Sequence, residues 1–456
     1  MDFVTYIRYY EFLLLPGYLF LFFWITSLIA KKYYAGSNLK KFLFLGLGAK
    51  MFGSIAFALM SQYFFKEGDT FMYYTGGLDF KNFLFRNFPE NLNLLFIPAE
   101  DYGNFYKLNA ENFNNFGYMS STGNLFAAKV SGFFSAFSFD GYLITSLFFG
   151  LFAFSGMWRL FAVFSRVYPE LAKQCSWCFL FLPSILYWGS GIMKDSLCLG
   201  AIGWLFSSFY LFFVLKSRNR FHILIILAAA YFLFNIKSYI AFTLCSVLVI
   251  WLIVNFFTSI NNKLVRGLAS TAAVFLCLVF LVVFGDELIS QINNEAVYMI
   301  SDTVKGASKN YEIVNAEGGA SLSNIGDIQP NISSIVSKIP VAISNALFRP
   351  YIWEAKKLNI LMSALENAVI LLFTIYVLLK GRIYQPLVKI FTNQLIFFSF
   401  IFSLLFAVLI GLTCFNYGSL VRYKLPIMPF YCFMLVLLYY TDKNGKPSVH
   451  LPDPSI

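Results

Sequence analysis

Residues 391–413 read FTNQLIFFSFIFSLLFAVLIGLT, an apolar run without a charged side chain. Runs of about 20 apolar residues, the length of a helix that crosses a hydrocarbon core of about 30 Å, recur along the chain. The 456 residues are 59% hydrophobic and 12% charged, whereas soluble domains are about 45–50% apolar and about 25% charged. The sequence therefore predicts an all-α, polytopic membrane protein.

The apolar pattern predicts about eleven membrane-spanning helices. The predicted spans are residues 12–30, 42–61, 141–164, 175–193, 196–215, 221–236, 239–257, 267–285, 361–379, 391–413 and 425–440. We interpret residues 1–441 as a single transmembrane domain and residues 442–456 as a flexible tail. The topology depends on residues 221–236, because the second half of the chain inverts if this short run does not cross.

The short connections after odd-numbered spans carry many more basic than acidic residues. The basic residues are Lys31, Lys32, Lys40, Lys41, Arg159, Arg166, Lys173, Lys216, Arg218, Arg220, Lys263, Arg266, Lys380, Arg382, Lys389, Lys443 and Lys446. Connections of this kind lie in the cytoplasm under the positive-inside rule. The net charge of +11 follows from this topology. We expect no nucleic-acid binding, because the basic residues form no continuous patch.

Two long polar segments, residues 62–125 and 286–360, then lie on the outer side as loops. Loops of this length are usually functional or disordered. Within and beside them, residues 124–140 and 333–347 are expected to form short interfacial helices. A transport bundle does not need such loops, whereas an enzyme that acts on a lipid-linked substrate at the membrane face does.

Residues 66–70 of the first outer loop read KEGDT and place Asp69 at the membrane boundary. A carboxylate there can accept a proton from an incoming hydroxyl or orient a divalent cation. Gly68 lets the backbone approach a ligand closely. The alternative is a capped turn in which Asp69 accepts hydrogen bonds from the next amides.

Residues 188–195 read WGSGIMKD and end in a charged pair at the outer junction of the fourth and fifth spans. Ionisable residues at that depth are costly unless they are paired or used. Lys194 can bind a lipid phosphate, and Asp195 can cap the next helix or position the lysine. The alternative is a lysine that extends to the interface beside an N-cap aspartate.

Residues 348–354 read FRPYIWE and end the second outer loop. Arg349 offers a planar fork for phosphate or carboxylate. Tyr351 and Trp353 offer flat faces that stack on sugar rings, and Glu354 can pair with either Arg349 or Lys357. The alternative is an interfacial aromatic belt with a structural salt bridge.

Residues 417–429 read YGSLVRYKLPIMP and lead into the last span. Arg422 and Lys424 break the positive-inside pattern, as Lys194 does, and Tyr423 stands between them. Three basic residues at one outer boundary can surround a phosphate or pyrophosphate head group. The alternative is an ordinary helix start without a ligand.

The arrangement resembles the GT-C class of integral-membrane glycosyltransferases. Gly68-Asp69 matches the acidic position of their first outer loop, and R-Y-x-x-P-x-x-P at residues 422–429 is similar to a run near the last spans of bacterial members. The runs S-G-x-x-K-D at residues 190–195 and R-P-x-x-W-E at residues 349–354 are similar to runs in bacterial envelope-polysaccharide membrane proteins. The resemblance implies a catalytic Asp69 and a donor sugar carried on polyprenyl phosphate or diphosphate.

We therefore expect a glycosyltransferase that acts at the outer face on a lipid-linked sugar, in contact with membrane lipids. Asp69 is the expected general base, and Lys194, Arg349 and Arg422 are expected to bind the departing phosphate. The sequence assigns no cofactor with certainty, and Asp69 could hold a divalent cation that orients the acceptor instead. A polysaccharide polymerase or ligase of the O-antigen type would depend on the arginines. A transporter or flippase would need ionisable residues and broken helices near the bilayer midplane.

Overall fold

A computed structural model describes residues 5–66, 68–109, 116–258, 332–355, 358–381, 384–414 and 416–440. The elements in these ranges are all helices, which confirms the all-α prediction for them. Seven of these helices are long and apolar enough to cross a membrane, or eight if the bent pair Tyr417–Tyr423 and Met428–Tyr440 is one span. A multi-pass membrane protein is thereby confirmed, whereas the count of eleven stays a prediction.

The helices fall into two compact units that divide between Ala241 and Phe242. The first unit contains α1 (Tyr9–Tyr33), α2 (Leu39–Leu59), α3 (Asp69–Arg86), α4 (Ala99–Asn109), α5 (Phe116–Met119), α6 (Thr122–Ala136), α7 (Tyr142–Val167), α8 (Ala172–Phe179), α9 (Pro183–Tyr187), α10 (Lys194–Phe209) and the first part of α11 (Phe221–Thr258). The second unit contains the rest of α11, α12 (Ile332–Phe348), α13 (Leu358–Lys380), α14 (Tyr384–Thr392), α15 (Gln394–Thr413), α16 (Tyr417–Tyr423) and α17 (Met428–Tyr440). Single turns of π-helix extend α2 to Phe65 and α10 to Val214.

Residues 175–193, predicted as one span, instead form the end of α8, the short helix α9 and an irregular stretch. Pro183 starts α9, where its missing N–H is not needed, and Leu182 before it is extended (φ −59°, ψ 128°). Gly191 packs so closely that a Cβ would lie 2.0 Å from Phe57 Cδ1. Lys50, buried in α2, donates a hydrogen bond of 2.8 Å to the Ile185 carbonyl and so satisfies part of this irregular backbone.

Residues 221–236 and 239–257, predicted as two spans around a turn at Lys237, form the two helical segments of α11. Lys237 itself is not helical (φ −149°, ψ 86°) and breaks the helix. The predicted span at residues 267–285, and residues 286–331 of the second loop, lie outside the described residues. The predicted span at residues 425–440 corresponds to α17, whose 13 residues are fewer than the roughly 17–25 of a spanning helix.

The first polar loop folds into a helical layer, α3–α6, with its own apolar core. The core consists of Phe80, Phe83, Leu94, Tyr102, Tyr106, Met119, Leu125 and Ala128. Gly77 and Gly132 let α3 and α6 cross closely, since a Cβ on Gly77 would lie 2.7 Å from the Ala128 carbonyl oxygen. The predicted helix at residues 124–140 is α6, and the one at residues 333–347 is α12.

Hydrogen bonds connect side chains of α3 and of α1 to the start of α7. Thr70 Oγ1 and the Tyr142 hydroxyl are 3.0 Å apart, and the Tyr74 hydroxyl donates to the Asp140 carbonyl at 2.6 Å. The buried carboxylate of Glu11 accepts the Leu143 N–H at 2.6 Å, so a side chain of α1 caps α7. The beginnings of α1, α3 and α7 therefore meet at one end of the first unit.

The second unit is held together by a close helix crossing and by polar contacts. A Cβ on Gly411 of α15 would lie 2.1 Å from the Ala342 carbonyl oxygen of α12, which only glycine allows. Thr374 Oγ1 of α13 and the Tyr431 hydroxyl of α17 are 3.0 Å apart. A bend of 64° separates α16 from α17. The bend places residues 424–427 between two helices.

Candidate functional site

Asp69 is the first residue of α3, with Gly68 as the N-cap at a φ of +135°. The carboxylate is half-buried and accepts a hydrogen bond of 2.5 Å from the Tyr118 hydroxyl. A carboxylate in the first turn of a helix is stabilised by the helix dipole. The helical layer thus holds Asp69 in one position and leaves part of it open to solvent.

Lys194 is the first residue of α10 and lies within electrostatic range of Asp69. Its Nζ donates to Asn124 Oδ1 at 2.8 Å, and the Tyr73 hydroxyl donates to the same oxygen at 3.2 Å. Nζ also lies 5.9 Å from the centre of the Tyr73 ring, within cation–π range. The charges of Lys194 and Asp69 interact, yet Lys194 forms no salt bridge with the described residues. Its hydrogen-bond partner is therefore a neutral amide, and the carboxylates of Asp195 and Asp69 attract its charge without forming a salt bridge with it.

Asp195 lies directly beneath this site and is buried. Its Oδ1 is 2.5 Å from Nζ of Lys237, the residue at the break in α11, and the two side chains are 3% and 7% exposed. Taking both charges out of water is costly unless they are paired. The buried pair fixes the start of α10 against α11. It also positions Lys194, the neighbour of Asp195.

Asp69 and Lys194 together present a carboxylate and an ammonium group at one half-buried surface. We name Asp69, Tyr73, Tyr118, Asn124 and Lys194 the α3–α10 cluster. Such a surface can accept a proton and bind an anion at the same time. No three His, Cys, Asp or Glu side chains come together in the part of the chain that the structure describes.

The sequence predicts Asp69, Lys194 and Asp195 as site residues, but not Tyr118, Asn124 or Lys237. Tyrosine and asparagine are common in polar loops, so no local signal marks these two. Lys237 had a signal, a basic residue inside an otherwise apolar segment. Its partner Asp195 is 42 positions away along the chain, a distance that periodicity does not bridge.

The second unit contains a separate cluster around Arg349. The guanidinium of Arg349 forms a salt bridge of 2.8 Å with Glu354, and the Tyr417 hydroxyl donates to the same carboxylate at 2.8 Å. The guanidinium carbon lies 5.5 Å from the Tyr351 ring centre and 5.9 Å from the Tyr417 ring centre. Of the two expected partners of Glu354, the structure therefore shows Arg349, whereas Lys357 lies outside the described residues; the carboxylate offsets much of the arginine charge.

The aromatic side chains of this cluster form an open surface. Tyr351 and Trp353 stack with ring centres 4.9 Å apart and planes at 24°, and Trp353 is 81% exposed. An exposed tryptophan stacked on a fixed tyrosine is a flat platform for an apolar or sugar face. We name Arg349, Tyr351, Trp353, Glu354 and Tyr417 the Arg349 cluster.

The three predicted residues at the end of α16 differ in exposure. Lys424 is buried and donates to the Arg349 carbonyl at 3.0 Å and to Asn367 Oδ1 at 2.5 Å. Arg422 and Tyr423 are half-buried in the last turn of α16, where a basic residue is favoured by the helix dipole. Lys424 therefore supports the loop of the Arg349 cluster from below.

A site that joins the two long loops stays a prediction, because Asp69 and Lys194 belong to one unit and Arg349 and Arg422 to the other. Comparison with family models, with curated proteins and with solved structures finds no match to this chain.

Proposed function

We propose that the protein is a membrane glycosyltransferase that moves a sugar from a polyprenyl-phosphate or polyprenyl-diphosphate donor to an acceptor hydroxyl. The reaction takes place at the outer face of a bacterial inner membrane. The basic connections of the chain lie on the opposite, cytoplasmic side under the positive-inside rule. The α3–α10 cluster supports this proposal. It places a half-buried carboxylate beside an ammonium group that neutral partners hold.

The reaction needs a base for the acceptor and a stabiliser for the leaving group. Asp69 takes the proton from the acceptor hydroxyl as its oxygen forms a bond to the anomeric carbon of the sugar. The bond between that carbon and the phosphate oxygen breaks, and the lipid phosphate leaves with the electron pair. Lys194 stabilises the charge that grows on this phosphate. Tyr118 orients Asp69 through its hydrogen bond.

The Arg349 cluster supports binding rather than chemistry in this proposal. Trp353 and Tyr351 stack on a sugar ring of the donor or acceptor, and Arg349 hydrogen-bonds its polar groups. Arg422 and Tyr423, half-buried in the last turn of α16, which begins at Tyr417 of this cluster, are assigned to phosphate binding. Lys424 holds the Arg349 loop in place.

The proposal is tested with purified protein and a panel of polyprenyl-phosphate and polyprenyl-diphosphate sugars, by measuring release of the free lipid phosphate. We expect turnover by the wild type and a loss of about 10²–10⁴-fold in Asp69→Asn, the range for a general base. Asp101→Asn is the matched control, because Asp101 is an exposed carboxylate in α4 of the same loop. Full activity of Asp69→Asn would end the assignment of Asp69 as the base.

Two other results would point to the polysaccharide polymerase or ligase. In that case Asp69→Asn stays active, whereas Arg349→Gln and Arg422→Gln lose turnover of a diphosphate-linked oligosaccharide. The observation that favours this alternative is the arginine between two tyrosine rings beside an exposed tryptophan.

A flippase for the same lipid-linked sugars is the second candidate, and broken helices favour it. α11 is interrupted at Lys237 with a buried salt bridge to Asp195, and buried Lys424 lies at the bend between α16 and α17. Ionisable residues at helix breaks are typical of transporters. Transfer of a fluorescent lipid-linked sugar across liposomes, without release of lipid phosphate, would establish this function instead.

A further inference from the structure

Arg159 of α7 is a half-buried charge without an acidic partner among the described residues. Its Nε donates to Ser207 Oγ at 3.1 Å, and one terminal nitrogen donates to Ser208 Oγ at 3.2 Å. The guanidinium carbon lies 4.3 Å from the centre of the Trp204 ring. These neutral contacts fix the guanidinium but leave its charge uncompensated, which is costly within a membrane segment.

His222, near the start of α11, is a second unsatisfied group close to Arg159. It is 4% exposed, and neither ring nitrogen has a hydrogen-bond partner in the described part of the chain. It lies within electrostatic range of the Arg159 charge. A neutral imidazole carries one donor and one acceptor, and leaving them buried and unpaired is unfavourable. An anion with a hydroxyl or phosphate oxygen would satisfy both residues.

An apolar cavity of about 180 Å³ lies between the same three helices. Its lining includes Phe152 of α7, Ala201 and Trp204 of α10, and Ile225, Ala228 and Phe232 of α11. A cavity of roughly 150 Å³ with such a lining is large enough for a six-carbon apolar ligand. Ala228 is exposed, so the cavity reaches the outside of the unit.

The cavity and the polar groups are in register along the three helices. Phe152 precedes Arg159 and Ala201 precedes Ser208 by two helical turns, so each pair lies on one helix face. His222 lies one turn before Ile225 on α11, which runs in the opposite sense. Trp204 links the two regions, since it lines the cavity and lies under Arg159.

We propose that this site binds an anionic phospholipid of the surrounding bilayer, with the phosphate at Arg159 and His222 and part of one acyl chain in the cavity. A basic pocket between membrane helices is the kind of site that binds anionic head groups. The exposed Arg218 and Arg220 in the connection before α11 add positive charge at this end. The inference is independent of the proposed transferase, because it uses none of the residues of the α3–α10 cluster.

The test measures binding of palmitoyl-oleoyl-phosphatidylglycerol and of the matching phosphatidylcholine to the purified full-length protein by native mass spectrometry. We expect the first phosphatidylglycerol to bind about tenfold or more tightly than phosphatidylcholine. Arg159→Gln should remove this preference, a change of about 1.4 kcal/mol for each tenfold. Arg166→Gln, a half-buried arginine on the same helix, is the matched control and should keep the preference.

A second variant tests the cavity without touching a charge. Ala228→Phe fills the cavity from an exposed position and should weaken phosphatidylglycerol by about tenfold while binding of glycerol phosphate stays weak. Equal losses in Arg159→Gln and Arg166→Gln would show a general attraction to the basic end and would overturn the site. Binding of glycerol phosphate as tight as that of the lipid would overturn the lipid as the ligand.

Discussion

The α3–α10 cluster and the Arg349 cluster use similar residues in opposite ways. In the first, neutral Asn124 holds Lys194, and Tyr118 donates to Asp69. In the second, Glu354 forms a salt bridge with Arg349. A charge held by neutral groups keeps its field for a ligand, whereas a charge paired inside the protein is largely offset. If the proposed function is correct, the first cluster supplies the charges for the reaction and the second supplies a binding surface.

The largest effect is expected for the buried pair that supports the α3–α10 cluster. Lys237→Met removes the salt bridge of the buried Asp195 carboxylate, so we expect a loss of about 3–5 kcal/mol in the free energy of unfolding. The measurement is the midpoint of unfolding in detergent. The double variant Lys237→Met with Asp195→Leu should recover most of the loss, because the unpaired charge is gone.

Equal instability of the single and double variants would contradict this reading of the pair. It would indicate that the stability comes from the shape of the break at Lys237 rather than from charge pairing. A fully stable Lys237→Met variant would show that water or another group compensates Asp195.

The next largest effect is expected when the positive charge of Lys194 in the α3–α10 cluster is removed. If the proposed function is correct, Lys194→Gln should lower turnover by about 10²–10³-fold, as the loss of one donor to a developing charge does. Its unfolding midpoint should stay near the wild-type value, because Lys194 is half-buried and forms no salt bridge with the described residues. Lys129→Gln is the matched control, since Lys129 of α6 donates to the Leu95 carbonyl at 3.0 Å and lies 5.6 Å from the centre of the Phe80 ring, outside the α3–α10 cluster. Wild-type turnover in Lys194→Gln would remove Lys194 from the mechanism.

Hydropathy predicts the long helices because a spanning helix is a local property of an apolar run. Residues 12–30, 141–164 and 391–413 lie largely within α1, α7 and α15. Residues 175–193 are also apolar on average but contain Pro183, Gly189 and Gly191. Mean hydropathy does not detect a break in backbone hydrogen bonding. The apolar pattern therefore predicts one continuous span at these residues.

The charged residues of the candidate site could be predicted from the sequence, because they stand at the ends of apolar runs. The neutral residues that contact them could not. Asp69 and Lys194 stand out as ionisable groups beside apolar runs. Their partners Tyr118 and Asn124 are brought near by the crossing of α3 and α6 at Gly77, a tertiary contact without a local signature. Arg159 was interpreted only as a topology signal, although its contacts suggest more.

A smaller effect is expected at the Arg349 cluster, where the charge is already paired. Glu354→Gln breaks the salt bridge of Arg349 and weakens the bond from the Tyr417 hydroxyl. We expect a loss of about 1.5–3 kcal/mol in the free energy of unfolding, the range for hydrogen bonds to charged groups. The unfolding midpoint checks this, with Glu170→Gln, an exposed glutamate in the first unit, as the control. An unchanged midpoint would show that the salt bridge contributes little to stability. Arg349 would then be available to a ligand.

The smallest effect tests whether the platform of the Arg349 cluster binds sugar. Trp353 is 81% exposed, so Trp353→Ala should change the free energy of unfolding by less than about 0.5 kcal/mol. Oligosaccharide binding should weaken about fivefold, or about 1 kcal/mol, because one stacking face is lost. Isothermal titration with hexose and hexosamine oligosaccharides measures this, and Trp177→Ala, at a tryptophan that is 59% exposed in the first unit, is the control. Equal affinities for Trp353→Ala and the wild type would make the tryptophan an interfacial anchor. The Arg349 cluster would then no longer be supported as a sugar-binding surface.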